Sequence, residues 1–415
     1  MNIKEVIIFF IVMLLIYFLG NLYIYKRSVY ALSLEGRYLN YFRVLYLVIM
    51  LAFPVSMIAV NYFGNFLFSR QISIIGFVFM GAMLYALMII LLVDILRVVN
   101  HFVHFFPEIF TTNKIFARRI VFAVCFGIIF CIVTYGIVNA RYIRVYEQEI
   151  FFDKLKTEQN GFTIVQISDL HVGALLDKNF VSDVVDKVNS LESDIVVITG
   201  DLIDNGATDL NQLDPLINLK SRLGTFFVSG NHDHFLTIRT DSTDNTDTTI
   251  SNNNRRPGPP IASGFQKRPL AAKLEELNIN VLHDRYVVID SGFTLFGVEY
   301  NWGGRGGGNR VAPKPLEKML EGHNNNLPLI MLKHVPNDLE NISNAGVDLL
   351  LCGHTHHGQM FPISLITDKV YHVSHGYGKY KNLQLYVNCG VGFWGPPLKI
   401  GVPSEITKIT LKSSK

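Results

Sequence analysis

The sequence predicts an α/β domain preceded by a transmembrane domain of four helices. Three observations carry that expectation. Long charge-free stretches are confined to the first 140 residues, and short apolar runs alternate with amphipathic helices after about Asn160. One apolar run after another then ends in residue types that ligate metals. At 415 residues the chain has room for two or three domains. Only 17% of its residues are charged, which is low for a chain that never meets a membrane.

Residues 6–25, 44–69, 71–93 and 120–140 contain no Asp, Glu, Lys or Arg. Each stretch can cross a hydrocarbon core of roughly 30 Å. The predicted spans are 6–25, 44–66, 72–96 and 120–140, inside a transmembrane domain of 1–145. The first is too long, and too soon followed by others, to be a cleaved signal peptide. Val98–Phe110 is apolar but short and carries His101, His104, Pro107 and Glu108, so it reads as interfacial. Asp94, at the end of the third span, is expected to reach for the headgroups. Lys26, Arg27, Arg37, Arg43, Arg97, Lys114, Arg118 and Arg119 fall on one face. Lys4, Arg70, Arg141 and Arg144 fall on the other. That bias places both termini outside the cytoplasm, in an integral, multi-pass membrane protein whose C-terminal domain is non-cytoplasmic.

Residues 146–160 read as a linker, and 161–415 as the second domain. Here Ile195–Thr199 is β-branched and apolar, a strand buried on both faces. It runs into Gly200, where the chain can turn sharply, and then into Asp201 and Asp204. Lys178–Leu191 has apolar residues at helical spacing, and Asp209–Arg222 and Leu270–Leu277 read as further helices. Strands are expected at Tyr286–Asp290 and Phe293–Val298, and helices at Pro315–Glu321 and Asn337–Asn344. The stretch 239–268, rich in Asp, Thr, Asn, Arg and Pro, has too little apolar surface to fold and reads as a disordered insertion. Gly303–Gly308 reads as a flexible connector, since it lacks the GK[ST] ending of a phosphate-binding loop.

An aspartate at the end of a buried strand is costly unless a cation compensates it. The pattern of Asp201 recurs four times. FTIVQIS leads to Asp169 and His171, and GTFFVSG to Asn231, His232 and Asp233. PLIMLK leads to His334, and VDLLLCG to His354 and His356. Each motif is weak alone, but five apolar strands converge on one set of N and O donors. Mixed N/O ligation without thiolate suits manganese, iron or zinc. So many ligands are too many for one ion and about right for two that share a carboxylate.

These residues resemble the calcineurin-like metallophosphoesterase family, whose motifs D-x-H, GD-x-x-D, GNH-[DE], H and GH-x-H all occur here in order. The likeness covers roughly Phe162–Leu411, and the phrases GHTHHGQMFP and LYVNCGVGFWGPPLKIGVPSEITKITL are similar to its membrane-anchored branch. The resemblance implies a four-layer sandwich of two mixed β-sheets flanked by helices. It implies that Asp169, His171 and His356 hold one divalent metal and Asn231, His334 and His354 another, with Asp201 bridging them. A hydroxide between the ions would attack phosphorus in line, while His232 serves the leaving oxygen and Asp204 orients His232. Two departures matter. Protein phosphatases of the family have Arg after the second aspartate, where this chain has Asn205. Relatives also carry Arg near the C-terminal tail, where this chain has Lys399.

The expected function is therefore hydrolysis of phosphomono- or diesters at or near the bilayer, with membrane lipid as a partner and lipid-linked phosphoesters among the expected substrates. Two rivals stand beside it: a silent scaffold with the same fold, and a regulatory domain of a receptor or transporter. A net charge of +3 gives no reason to expect nucleic acid, and nothing in the sequence points to a protein partner. Four cysteines make no disulfide framework, and Cys352 and Cys389 read as free buried thiols. Phe393, Trp394 and Leu398 in the tail either meet lipid or close the rim of the site.

Overall fold

The computed structural model describes residues 3–58, 69–204, 209–233, 237–238, 250–251, 269–290, 292–300 and 315–414. Asn205, His234, the GGRGGG stretch and nearly all of 239–268 lie outside the described residues. The chain divides into two compact units, a helical one within 1–138 and an α/β one that begins at Asn139.

The helical unit contains α1 (Ile3–Leu32), α2 (Gly36–Ile58), α3 (Ser69–Val103), the single turn α4 (Ile109–Thr112) and α5 (Lys114–Arg141), which runs on into the second unit. Among the described residues, three helices are long and apolar enough to cross a membrane: Gly36–Ile58, Arg70–Val103 and Lys114–Arg141. Three spans, not four, are thus identified on that ground, although α1 is a continuous helix over the first predicted span. The helices also outrun their predicted limits. α2 starts at Gly36 rather than 44, because Arg37 and Arg43 end the charge-free stretch but not the helix. α3 continues to Val103 and absorbs half of the segment expected at the interface.

The α/β unit opens with a correction. The first half of the predicted linker 146–160 belongs to β1 (Ile143–Phe152), which pairs in parallel with β14 (Ser404–Ser413) along its whole length. Arg144, Glu147 and Glu149 suggested a solvated tether. Ile150 and Phe152 nevertheless turn into the core while Glu149 and Phe151 stay exposed, the alternation of an edge strand.

Then come β2 (Thr163–Ile167), α6 (Lys178–Asn189), β3 (Ile195–Ile198), β4 (Thr225–Phe227), the small pair β5 (Thr237–Ile238) and β6 (Ile250–Ser251), α7 (Pro269–Glu276) and β7 (Ile279–Val281). The first sheet has the order β1-β14-β2-β3-β4-β7, parallel except where β14 meets β2. The second is built from β8 (Arg285–Ile289), β9 (Phe293–Gly297), β10 (Leu329–Leu332), β11 (Leu349–Cys352), β12 (Gly376–Tyr380) and β13 (Leu383–Val387). Its order is β12-β13-β11-β10-β9-β8, with β9, β10, β11 and β13 parallel. The short helices α8 (Leu316–Met319), α9 (Leu339–Asn344) and α10 (Ser364–Val370) connect them.

Both sheets are mixed and flanked by helices, as the resemblance implied, and the strands show why. Ile195 and Val197 face the core between the sheets, where they join Ile330, Leu332, Leu349 and Leu351. Val196 and Ile198 face the other way, onto α6, whose Phe180, Val181, Val184 and Val188 form its buried stripe. Met331, Leu350 and Cys352 cover the outer face of the second sheet. Strands buried on both faces read as continuous apolar runs, which is what the sequence contains. Asp177 caps α6 by accepting from the Phe180 N–H. The helix expected over 209–222 is instead a 3-10 helix at Leu210–Asn218, since Pro215 has no N–H for an α-helical bond.

Candidate metal centre

The parallel strands β2, β3, β10 and β11 all deliver functional residues just beyond their C-terminal ends. The chain leaves β2 through Asp169 and His171, β3 through Asp201, and β11 through His354 and His356, all five at positive φ. For residues with a Cβ such a conformation is unfavourable by roughly 1–2 kcal/mol each, so tertiary contacts must hold it. Backbone bonds do so: Asp169 N donates to the Gly200 carbonyl at 3.0 Å, and His171 N to that of Asp201 at 3.0 Å. Gly200 has φ +90°, and a Cβ there would come within 2.6 Å of the His334 ring and 2.7 Å of the Gly230 nitrogen. Only glycine lets these loops close on one another.

Two groups of donors result. In the first, His171 Nε2 and His356 Nε2 face each other at 3.0 Å, and Asp169 Oδ1 lies 3.4 Å from His356 Nε2 and 3.9 Å from His171 Nε2. In the second, His334 Nε2 and His354 Nδ1 are 3.2 Å apart, with Asp201 Oδ2 3.1 Å from His334 Nε2. The same Asp201 oxygen is 3.8 Å from His171 Nε2, so it stands between the groups. Asn231 is flanked by Gly230, packed on Asp201, and by His232, whose N–H donates to Asp201 Oδ1 at 2.8 Å. Its own Oδ1 is buried with no hydrogen-bond partner among the described residues.

This donor set fits divalent cations. Facing imidazole nitrogens beside carboxylates, with an orphaned amide oxygen, are poor hydrogen-bonding partners for one another and good ligands. The charges agree. Burial pushes His354 down to about 3, helped by His334, and holds His356 well below its ordinary range. Both rings are thus kept neutral, the form that binds metal. Burial also depresses His334, but the Asp201 carboxylate outweighs it and lifts that ring to about 9. His334 Nδ1 bonds the Thr199 carbonyl at 2.8 Å, which leaves Nε2 to face the cluster.

His232 sits beside the first group, its ring edge-on to His171 with centroids 4.7 Å apart. Its Nδ1 lies 3.2 Å from Asp204 Oδ1, and Asp204 also approaches His171 Nδ1 at 3.8 Å. Burial raises the Asp204 carboxyl, but His171 and His232 outweigh it and hold the group at about 2. All nine site residues predicted from the sequence are therefore gathered at the C-terminal ends of the two sheets.

Three features were not foreseen. Asp233, to which the motifs give no ligand or catalytic role, is buried and accepts from the backbone N–H groups of Gly230, Asp201, Leu202 and Ile203 at 2.7–3.2 Å. The D of GNHD was its only signal. Tyr300 and Tyr371 flank His334 and His354 with ring centroids at 6.4 and 6.2 Å, and no motif marks them. Lys399 is fully buried and donates to the carbonyls of Gly390, Pro403 and Cys389 at 2.6–3.4 Å. It braces the loop behind Asp169 and does not reach out for phosphate. In the tail, Phe393 belongs to the core, whereas Trp394 is 55% exposed and lies edge-on to His232 at 6.2 Å. His357 and His375 stack on each other and bond Asp368 and Glu405, as structural residues do.

Comparison with known proteins follows the same lines. Residues 162–358 match the family described as calcineurin-like phosphoesterase. An uncharacterized metallophosphoesterase of Helicobacter pylori (strain ATCC 700392 / 26695) is 35% identical over 65% of this chain and 64% of its own. The Danio rerio transmembrane protein with metallophosphoesterase domain is 29% identical over 68% of this chain and 60% of its own. The match thus spans less than two thirds of either protein. An uncharacterized metallophosphoesterase of Campylobacter jejuni is 28% identical over 99% of both chains.

Proposed function

Since the chain carries a calcineurin-like metallophosphoesterase domain, we propose that it is a membrane-anchored hydrolase of phosphomono- or diesters that works with two divalent cations. One observation carries the two-cation reading: Asp201 Oδ2 stands 3.1 Å from His334 and 3.8 Å from His171, within reach of both donor groups. Asp169, His171 and His356 would hold one ion, and Asn231, His334 and His354 the other, with Asp201 shared. The ions would acidify a water for in-line attack and neutralise the phosphoryl oxygens.

The other residues act around that centre. The His232 N–H fixes Asp201 Oδ1, which keeps the other oxygen turned toward the ligands. Asp204, ionised at any working pH, faces His232 Nδ1 and so leaves Nε2 as the nitrogen that can hand a proton to the leaving oxygen. Trp394, exposed beside His232, offers an apolar face to the group that departs. Apolar helices and membrane-named relatives support a membrane protein, so the substrate is proposed to lie at or near the bilayer, as a lipid-linked phosphate does.

The test is hydrolysis by the purified full chain of chromogenic phosphomono- and diesters with Mn²⁺, against a chelated control. Turnover that requires the metal and disappears in Asp201→Asn is expected. A chain that binds metal but turns over neither class would be a scaffold instead.

A further inference from the structure

We propose that the helical unit binds a phospholipid in a cavity among its helices, with the lipid phosphate held by Arg97 and Arg118. This site does not rest on the phosphoesterase reading. A cleft of about 350 Å³ is lined by α1, α2, α3 and α5, a size usual for small-molecule sites. Ile24, Ile49, Ile90, Val121 and Ile129 furnish an apolar wall along it. The charged groups gather at one end, where the C-terminal parts of α1 and α3 meet the start of α5: Arg27, Asp94, Arg97 and Arg118.

Three guanidiniums and one carboxylate line the cavity. Asp94 is already engaged: Arg27 pairs with it, the Tyr23 hydroxyl donates to it, and Arg97 Nη1 lies 3.3 Å away. Arg118 lies over the Tyr30 ring, its guanidinium carbon 4.3 Å from the centroid, and its Nε donates to the Lys114 carbonyl at 3.0 Å. No other acidic residue lines the cavity among the described residues, so two positive charges lack a carboxylate. Cations at the end of a membrane helix are costly unless an anion or water meets them.

The occupant must answer both parts of the cleft. A wholly apolar molecule would lay hydrocarbon against guanidiniums, and a soluble anion would leave the isoleucine wall wet. An acyl chain with a phosphate at its end satisfies both, because forked guanidiniums match phosphate oxygens in charge and geometry. Basic pockets between membrane helices take lipid headgroups in this way. The Arg27–Asp94 pair then serves as the fixed floor of the headgroup site, and Arg97 and Arg118 as its donors.

The experiment offers the detergent-solubilised full chain palmitoyl-oleoyl phosphatidic acid or the diacylglycerol with the same chains. Native mass spectrometry then counts retained molecules. One phosphatidic acid per chain, with no retained diacylglycerol, is expected. Replacing both donors, R97Q with R118Q, should weaken retention by about tenfold, the loss of one or two charge-assisted bonds, and lysine at both positions should restore part of it. Equal retention of the two lipids overturns the proposal, and so does retention of phosphatidic acid that ignores the arginines. A dimer with no lipid bound would mean that a second copy of the chain fills the cleft, which also overturns it. The comparison of the two lipids uses the unaltered chain, so it decides even if a variant fails to fold.

Discussion

His334 Nε2 lies 3.1 Å from Asp201 Oδ2, and that contact ties the end of β10 in one sheet to the end of β3 in the other. The far nitrogen of His334 is fixed on the Thr199 carbonyl, which immediately follows β3. The imidazole is thus clamped from both sides by one strand of the opposite sheet. The pairing of the two sheets therefore sets where the second donor group lies.

It follows that Asp201→Asn removes a ligand that no other residue can replace. The variant should lose more than the roughly 100-fold in activity that a merely supporting residue costs. Elemental analysis should show both metal positions depleted, whereas His354→Ala should deplete one. If Asp201→Asn retained two metals per chain and normal turnover, the bridging role would be wrong.

Asp233 offers a separate test, because it touches backbone alone. Its two oxygens accept four N–H groups from the loops that carry Asp201 and Asn231. Asn at this position keeps one acceptor and turns an NH₂ toward donors, at a cost of about 1–3 kcal/mol. A melting temperature several degrees lower is expected, along with weaker metal binding although every ligand is intact. Unchanged melting and metal content would reduce Asp233 to a bystander.

The difference between Asp201 and Asp233 marks what can be read from sequence. Asp201 ends an apolar strand, so its cost on burial is visible from its neighbours, and the same holds for Asp169, His334 and His354. Asp233 works through main-chain N–H groups, and beyond the D of GNHD such contacts leave no residue pattern. Tyr300 and Tyr371 are likewise brought in by the fold from stretches with no regular period. β1 was misread for a different reason. An edge strand has one wet face, and Glu147 and Glu149 on it resemble the charges of a linker. Helix limits failed where Arg37 and Arg43 closed an apolar window without stopping the helix.

Glu405 gives the α/β unit a dependence on pH. It is buried and accepts from His375, Tyr386, Cys389 and Thr407 at 2.7–3.1 Å. Burial alone would raise its carboxyl, but those donors, His375 foremost, bring it down to about 2 from an ordinary 4.5. Between those values the unfolded chain binds a proton that the folded chain refuses, so stability rises with pH through that window. The contribution is complete above about pH 4.5 and lost as pH falls toward 2, and it amounts to about 3 kcal/mol. Glu405→Gln should be less stable than the parent at neutral pH, with the gap closing under acid. Chemical denaturation of both chains from pH 2 to 7 measures it. A gap that does not change with pH would mean that packing, not charge, is what Glu405 supplies.

Orientation decides which substrates can reach the site. The face expected to be cytoplasmic carries eight Lys and Arg, and the opposite face was credited with Lys4, Arg70, Arg141 and Arg144. Arg144 lies in β1 and donates to the Asn139 side chain at 2.7 Å. The expectation from that bias of eight to four is an α/β unit outside the cytoplasm. Ser182 is exposed on α6, Cys352 and Cys389 are buried, and Cys125 and Cys131 lie within the apolar helix α5, where a bilayer would shield them, so Ser182→Cys introduces a thiol that a membrane-impermeant maleimide can reach. Intact cells or sealed vesicles bearing this variant should be labelled from outside, and the parent chain should not. Phosphoesters of the extracellular face, the periplasm or an organelle lumen would then be the substrates to try. Labelling only after permeabilisation would place the unit in the cytoplasm and bring soluble nucleotides and phosphoproteins back as candidates.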